Sequence, residues 1–398
     1  MRICDIIVVG AGGVGTAAAS EAARRGARTI AIDRFAPGHD RGSSHGQTRI
    51  IRQAYFEHAD YVPLLIAAYR LWERLEKESG QTLFEPVGLI EIGPAKGTVV
   101  SGVLASAAAH RLEVEQLTAE EVERRFPGLR MPAEMVGVFE RGAGYLHVEN
   151  AVRAQAAEAV RHGALLQLGE TVRSWRAQAG GVEVHTDRER YVGKRLIVSA
   201  GAWAGAILSD LNIPLTVLRK EVFWFAAAAD VYRAERGMPT FLFDLPAKAA
   251  EPQGGNEQPD KLGNGGCFYG FPQIDDRGVK VAEHTGGERV DDPLNVDRRP
   301  DPHDARRVND FCRAYLPALS ARRLQHSVCL YTMTPDGHFV VDVHPEHPEV
   351  VLAAGLSGHG FKFVPVLGQI LANLALDGRT ALPIGFLGCG RAALASGA

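Results

Sequence analysis

Asp5-Ile-Ile-Val-Val-Gly10-Ala-Gly12-Gly-Val-Gly15 is the stretch that decides the fold. Residues 5–9 are an unbroken aliphatic run, the mark of a strand buried on both faces. Gly10 to Gly15 read as a turn, and the alanine-rich stretch Ala17 to Arg25 predicts a helix that Gly26 stops. Arg28-Thr-Ile-Ala-Ile32 predicts a second strand ending at Asp33, which completes a βαβ unit. Within the turn, Gly10 allows the tight bend and Gly12 lets a pyrophosphate approach the backbone. Gly15 lets helix and strand pack closely. The helix N-terminus offers free N–H groups and a partial positive charge to phosphates. Asp33 stands where a carboxylate accepts ribose hydroxyl protons, which argues against a ribose 2′-phosphate. These features point to a bound dinucleotide without separating FAD from NAD.

Strand, glycine turn and helix recur around Leu196–Trp203 and again from Val350 through Gly355–Gly360 to Leu376. Between these units, residues 215–245 and 267–284 alternate like antiparallel strands. Helices are expected over Tyr61–Glu78 (with Leu65, Tyr69, Trp72 and Leu75 on one face), Val148–Arg161, 304–315 and from about Val364. Thr118-Ala-Glu-Glu121 has capping-box spacing and opens a helix ending near Pro127. Short strands are expected at Gly88–Ile92, within 181–198 and at Val340–Val343, while 34–48 reads as a loop. The fold class is α/β. A discontinuous Rossmann-like domain is expected over 1–85, 146–214 and 325–390. It carries an inserted α+β domain on an antiparallel sheet over 86–145 and 215–324. Residues 247–266 have almost no apolar content and read as a mobile excursion.

Composition narrows the function. Lys and Arg number 44 against 47 Asp and Glu, with no basic run to suggest nucleic acid or anionic lipid. The five cysteines, at 4, 267, 312, 329 and 389, show no paired or metal-ligand spacing, so no metal is expected. That pattern fits free thiols in a reducing compartment. Without a signal-peptide pattern or an apolar run of about 18 residues, the cytoplasm is the expected location.

Outside the first unit, Gly42-Ser-Ser-His45-Gly-Gln-Thr48-Arg49-Ile-Ile-Arg52 resembles the monomeric sarcosine oxidase family, which includes N-methyltryptophan oxidase. That family lies within the glycine-oxidase/D-amino-acid-oxidase group of flavoenzymes. The resemblance continues through Tyr61-Val-Pro, Ala200-Gly-Ala-Trp203, Tyr269-Gly-Phe-Pro272 and Cys329-Leu-Tyr-Thr-Met-Thr-Pro-Asp336. It ends with Ala354-Gly-Leu-Ser-Gly-His359-Gly-Phe-Lys362-Phe and so covers nearly the whole chain.

The resemblance implies FAD joined through its 8α-methyl carbon to Cys329. A thiolate adds to that activated methyl when its surroundings lower its pKa. It places Arg49 over the flavin and gives the substrate carboxylate to Arg52 and Lys362. A guanidinium grips a carboxylate with two parallel bonds that lysine cannot match. Lys280 corresponds to the lysine that promotes reaction with oxygen, where a fixed cation stabilises forming superoxide. His284, Tyr269, Tyr331 and Leu242 match positions that shape the substrate site. Besides Gly10, Gly12, Gly15 and Asp33, the cofactor contacts it implies are Arg34, Ser43, Ser44, Thr48, Arg49, Val172, Ala200, Gly201 and Trp203. Cys329, Gly358, His359, Gly360 and Lys362 complete them.

The expected activity is therefore oxidation of a secondary N-methyl amino acid by a monomer, with O₂ as acceptor and hydrogen peroxide as product. Alternatives are an oxidase of a cyclic or glycated amino acid (pipecolate or a fructosyl amino acid) and a flavin dehydrogenase with another acceptor. The 247–266 excursion and the pair Leu242 and Phe243 depart from the family pattern and bear on substrate size.

Overall fold

The computed structural model describes residues 1–247 and 265–395. The 247–266 excursion therefore lies, but for its ends, outside the described residues. The glycine turn sits where two parallel strands, Arg2–Val9 and Thr29–Asp33, meet the helix Gly13–Arg24. A Cβ on Gly15 would come within 1.7 Å of the Gly10 carbonyl oxygen, so helix and strand approach as closely as the motif requires.

Arg2–Val9 also pairs in parallel with Arg190–Val198, whose second half pairs in parallel with Val350–Ala354. The hairpin Val172–Gln178/Gly181–Thr186 extends this sheet, with Leu165–Leu168 at the other edge, eight strands in all. Ile6, Ile7, Val8, Ile197 and Val351 are fully buried, as an aliphatic run covered on both faces must be. The helices Gly13–Arg24 and Val364–Asp377 cross at Gly368, where a Cβ would meet Ala17 Cβ at 2.5 Å. The two ends of the sequence thus build one layer.

The second sheet has nine strands. Thr216–Ala227, Val279–Glu283, Gly266–Phe271 and Thr240–Leu245 follow one another in antiparallel pairs. Thr240–Leu245 then pairs in parallel with Leu89–Pro94, and that strand pairs antiparallel with Met135–Glu140. The long strand Leu319–Met333 runs antiparallel to Thr216–Ala227. Residues 325–333, grouped by sequence with the first sheet, are therefore paired in the second, and Cys329 stands opposite Lys220.

A small third sheet joins Thr48–Ile51, Gly144–His147 and Phe84–Glu85. Other departures have local causes. The helix Thr98–His110 was not expected because Thr-Val-Val-Ser-Gly-Val-Leu-Ala-Ser-Ala-Ala-Ala-His mixes small and apolar residues on all sides. It ends on Arg111 with φ 55°, so no glycine marks the stop. The turn at Gly201 leads only into a 3₁₀ turn and the four-residue helix Ala204–Ile207. Thr118 and Glu121 do form the reciprocal capping box of the helix Ala119–Arg125. Among the described residues no helix is long and apolar enough to cross a membrane.

Candidate active site

A long cleft runs along the C-terminal ends of the parallel strands, where ligands of open α/β sheets bind. Gly10, Gly12, Asp33 and Arg34 line its floor, with Ser43 and Ser44 across from them. Val172, Ala200, Gly201 and Trp203 form one side, and Gly358 and Gly360 close the far end. Gly10 has φ +94° and a Cβ there would strike the Ser199 oxygen at 2.5 Å, so glycine is required. A Cβ on Gly12 would meet no protein atom within 4 Å, which leaves its backbone open to the cleft. Asp33 Oδ2 accepts the Ala11 N–H at 2.6 Å, and Arg34 Nε donates to Thr171 Oγ1 at 3.0 Å.

Five expected cofactor positions stand off this cleft: Gly15, Thr48, Cys329, His359 and Lys362. Gly15 serves the helix–strand contact. Thr48 is fully buried, and its backbone oxygen accepts from Lys280 Nζ at 2.8 Å. His359 and Lys362 face a second, smaller cavity rather than the cleft. That cavity is walled by Arg52, Leu242, Tyr269 and His284, with Phe56 and Glu57 from the segment after Arg52. Arg49, Tyr331, Gly358 and Phe361 line both spaces, so the two adjoin. Leu242 faces the cavity while Phe243, the next residue of the strand, is in the apolar core on the other face.

Cys329 lies beside this junction, buried, with its Sγ 3.4 Å from Arg49 Nη2 and 3.9 Å from His45 Nδ1. Burial alone pushes its thiol up, but His45, Arg49 and Lys280 outweigh it and bring the pKa down to about 6. Cys4, Cys267 and Cys312 are pushed up to about 12 or beyond by burial, and all five cysteines are free thiols.

Lys280 lines neither space. Its Nζ donates to the carbonyls of Gly46 at 2.6 Å and Thr48 at 2.8 Å, over the rings of Phe271 and Trp224. Burial and then Arg49 push its pKa well below the usual lysine value, while both carbonyls are acceptors that only an N–H satisfies. The loop that supplies those carbonyls is itself pinned. Glu149 accepts the Gly46 and Gln47 N–H groups, and Gln47 bonds both Trp224 and Asp275. Lys280 and His284, four residues apart, lie on one face of the sheet: Lys280 sits over Phe271, whose ring packs on Tyr269, and His284 packs on Tyr269 and meets Tyr331 Oη at 3.3 Å.

Arg52 is buried on the rings of Tyr55 and Phe56, with Nη2 bonded to Glu57 at 2.8 Å and Nε 3.4 Å from Glu91. Burial pushes Glu57 up, but Arg52, His359 and Lys362 together outweigh it and hold the carboxyl down to about 2. Burial, helped by Arg52, lowers Lys362 to about 7, and burial, helped by Lys220, lowers His284 to about 3. Lys362 Nζ donates to the His359 carbonyl at 2.8 Å. His45, Glu57, Glu91 and Glu149 carry roles that the sequence did not single out. Glu91 had a signal, a charge inside the apolar run Leu-Ile-Glu-Ile.

The sequence matches the family model described as FAD dependent oxidoreductase over residues 5–374. The chain belongs to that family. It is 40% identical to a monomeric sarcosine oxidase of Streptomyces avermitilis, over 96% of each chain. It is 34% identical to an N-methyl-L-tryptophan oxidase of Citrobacter koseri, over 93% of this chain and 94% of that one. The fold superposes on NikD, an unusual amino acid oxidase essential for nikkomycin biosynthesis, with TM-score 0.81 and 26% identity over 98% of both chains. The cofactor of the family is FAD, and the cleft fits it. Besides the glycine floor, Trp203 Nε1 and Thr332 Oγ1 are buried on its walls without any protein partner, as donors kept for a polar ligand would be.

Proposed function

We propose that this oxidoreductase oxidises secondary N-methyl amino acids, with O₂ as acceptor, to the amino acid, formaldehyde and hydrogen peroxide. One observation carries this reading: Arg52 and Lys362, both buried, face one small cavity that adjoins the dinucleotide cleft through Arg49 and Tyr331. Arg52 and Lys362, on a wall that is otherwise mostly aromatic and aliphatic apart from Arg49 and Glu57, suit a carboxylate of a small substrate. When bound, FAD supplies the acceptor for two electrons and returns them to O₂.

The residues of the chain do the rest. Arg52 and Lys362 hold the carboxylate and so orient the N-methyl group. Oxidation draws on the lone pair of the neutral amine, and burial of the cavity disfavours its ammonium form. Water hydrolyses the resulting imine to amine and formaldehyde. Lys280, whose Nζ the Gly46 and Thr48 carbonyls fix in place beside Arg49 and Cys329, is the residue assigned to oxygen reduction. Cys329, with Arg49 and His45 beside it, would hold the flavin as a thioether at the 8α-methyl carbon, a bond whose formation releases a methyl proton and leaves two electrons on the ring for O₂ to remove.

The same reading assigns 1–85, 146–214 and 325–390 to FAD binding and 86–145 with 215–324 to the substrate. It treats the protein as a cytoplasmic monomer, as the free cysteines and the relatives named monomeric support. Light scattering checks the mass. An aerobic peroxide assay with sarcosine, N-methyltryptophan, pipecolate and a glycated amino acid tests the activity. Sarcosine-type substrates are expected to give peroxide and formaldehyde together. Peroxide only from pipecolate or the glycated compound, or flavin reduction that air does not reverse, rejects the assignment.

A further inference from the structure

Glu91 sits on the strand Leu89–Pro94, where Ile90 and Ile92 enter the apolar core of the second sheet. Alternation turns Glu91 to the opposite face, toward Arg52. It is 1% exposed and lies behind Arg52, outside the cavity wall. Its Oε1 is 3.4 Å from Arg52 Nε, yet neither atom has a hydrogen-bond partner. The other end of the guanidinium is already bonded to Glu57, which does line the cavity.

The charged and titratable groups facing Glu91 are Arg52, Glu57, Glu140, Lys362 and Cys267. Glu140 gives its oxygens to the Gln53 and Ala54 N–H groups, which fixes it in place. Arg52 and Lys362 therefore confront three carboxylates before any ligand arrives, and a ligand carboxylate adds a fourth. Uncompensated negative charge in a buried site is costly unless a proton neutralises it. Glu91 is the group placed to take that proton. Its orphan oxygen breaks no bond on protonation, and burial, against the pull of Arg52, raises its pKa to about 8.

We propose that Glu91 is a proton-linked positioning residue: it shares Arg52 with the ligand carboxylate and carries a proton whenever that carboxylate is bound. The inference rests on the reading that Arg52 and Lys362 receive the substrate carboxylate. Its sign follows from the direction of the shift. Below pH 8 Glu91 already holds the proton and binding costs nothing extra. Above pH 8 binding must take up a proton, so affinity falls about tenfold per pH unit. Lys362, at about 7, adds its own loss as it deprotonates; Glu91 helps hold its proton, so removing Glu91 enlarges that loss between pH 7 and pH 9 by about twofold at most, small against the tenfold expected.

The test uses the flavin-loaded enzyme and the thioether CH₃–S–CH₂–COO⁻, which keeps the carboxylate and has no titrating amine. Kd is read from the flavin absorbance at pH 7 and pH 9 for the natural protein, Glu91→Gln and Glu91→Leu. The rise in Kd from pH 7 to pH 9 is expected to be about tenfold smaller in either variant than in the natural protein. A merely structural role shifts Kd equally at both pH values, and an unchanged ratio overturns the proposal. Should Gln cost the bound flavin, the Leu variant carries the measurement. Arg52→Gln separates the two claims. If it binds the thioether as tightly as the natural protein, the carboxylate reading fails and the inference with it. If it loses binding while the Glu91 ratio stays unchanged, only the Glu91 inference fails.

Discussion

The cleft and the cavity beside it are built on opposite principles. The cleft is walled mostly by glycine, alanine, serine and apolar side chains, with Asp33, Arg34, Arg49, Glu170 and Arg173 spread along its length. The cavity is small and draws Arg49, Arg52, Glu57, His284, His359 and Lys362 onto one surface. The first binds by shape and backbone dipoles, which tolerate no side chain at Gly10. The second binds by charges whose pKa values are shifted by burial and by one another. Recognition of the constant partner is thus left to the main chain, and recognition of the variable one to side chains that titrate.

That contrast breaks most sharply at the seam. Cys329→Ser is expected to lose the covalent link completely, so acid precipitation of the flavin-loaded protein gives a colourless pellet and a yellow supernatant. A yellow Cys329→Ser pellet removes Cys329 from its role. The pH dependence of attachment follows the lowered thiol. Apoprotein mixed with FAD is expected to link at a rate that climbs to a plateau above about pH 6, because the thiolate is the nucleophile. A rate still climbing through pH 9 contradicts the paired setting of His45 and Arg49.

Arg52→Gln is expected to lower kcat/KM by about a thousandfold, because it also strands Glu57 and Glu91. Steady-state kinetics decide it, and a loss below tenfold detaches Arg52 from the substrate. Lys280→Met is expected to slow reoxidation by about a hundredfold and to leave anaerobic flavin reduction nearly intact. Stopped-flow traces in which both half-reactions slow alike make Lys280 a packing residue. Thr118→Ala, far from either space, removes one cap and is expected to cost about 1 kcal/mol of stability in denaturant titration without touching turnover.

The two regions were also unequally legible in the sequence. Gly10, Gly12, Gly15 and Asp33 are contiguous or nearly so, and their local pattern dictates local geometry. The cavity gathers residues from Arg52 to Lys362 that only long-range pairing brings together, and family resemblance, not periodicity, pointed to them. The resemblance gives Arg52 only the substrate carboxylate as partner, whereas Glu57 and Glu91 flank it. Strand register explains the second miss. Glu91 faces the site because the parallel pairing sets it level with Leu242, a relation no short window contains. The helix Thr98–His110 was missed for the opposite reason, since small residues on every side give no period to read.

The crossing of Ala17 and Gly368 has a consequence for biogenesis. A nascent polypeptide emerging from the ribosome exposes its glycine turn about 350 residues before the helix that buttresses it. Loops that long close slowly, so the early unit waits unsupported. Loading of the prosthetic group is accordingly a late event, and premature termination before Val364 yields protein that never turns yellow.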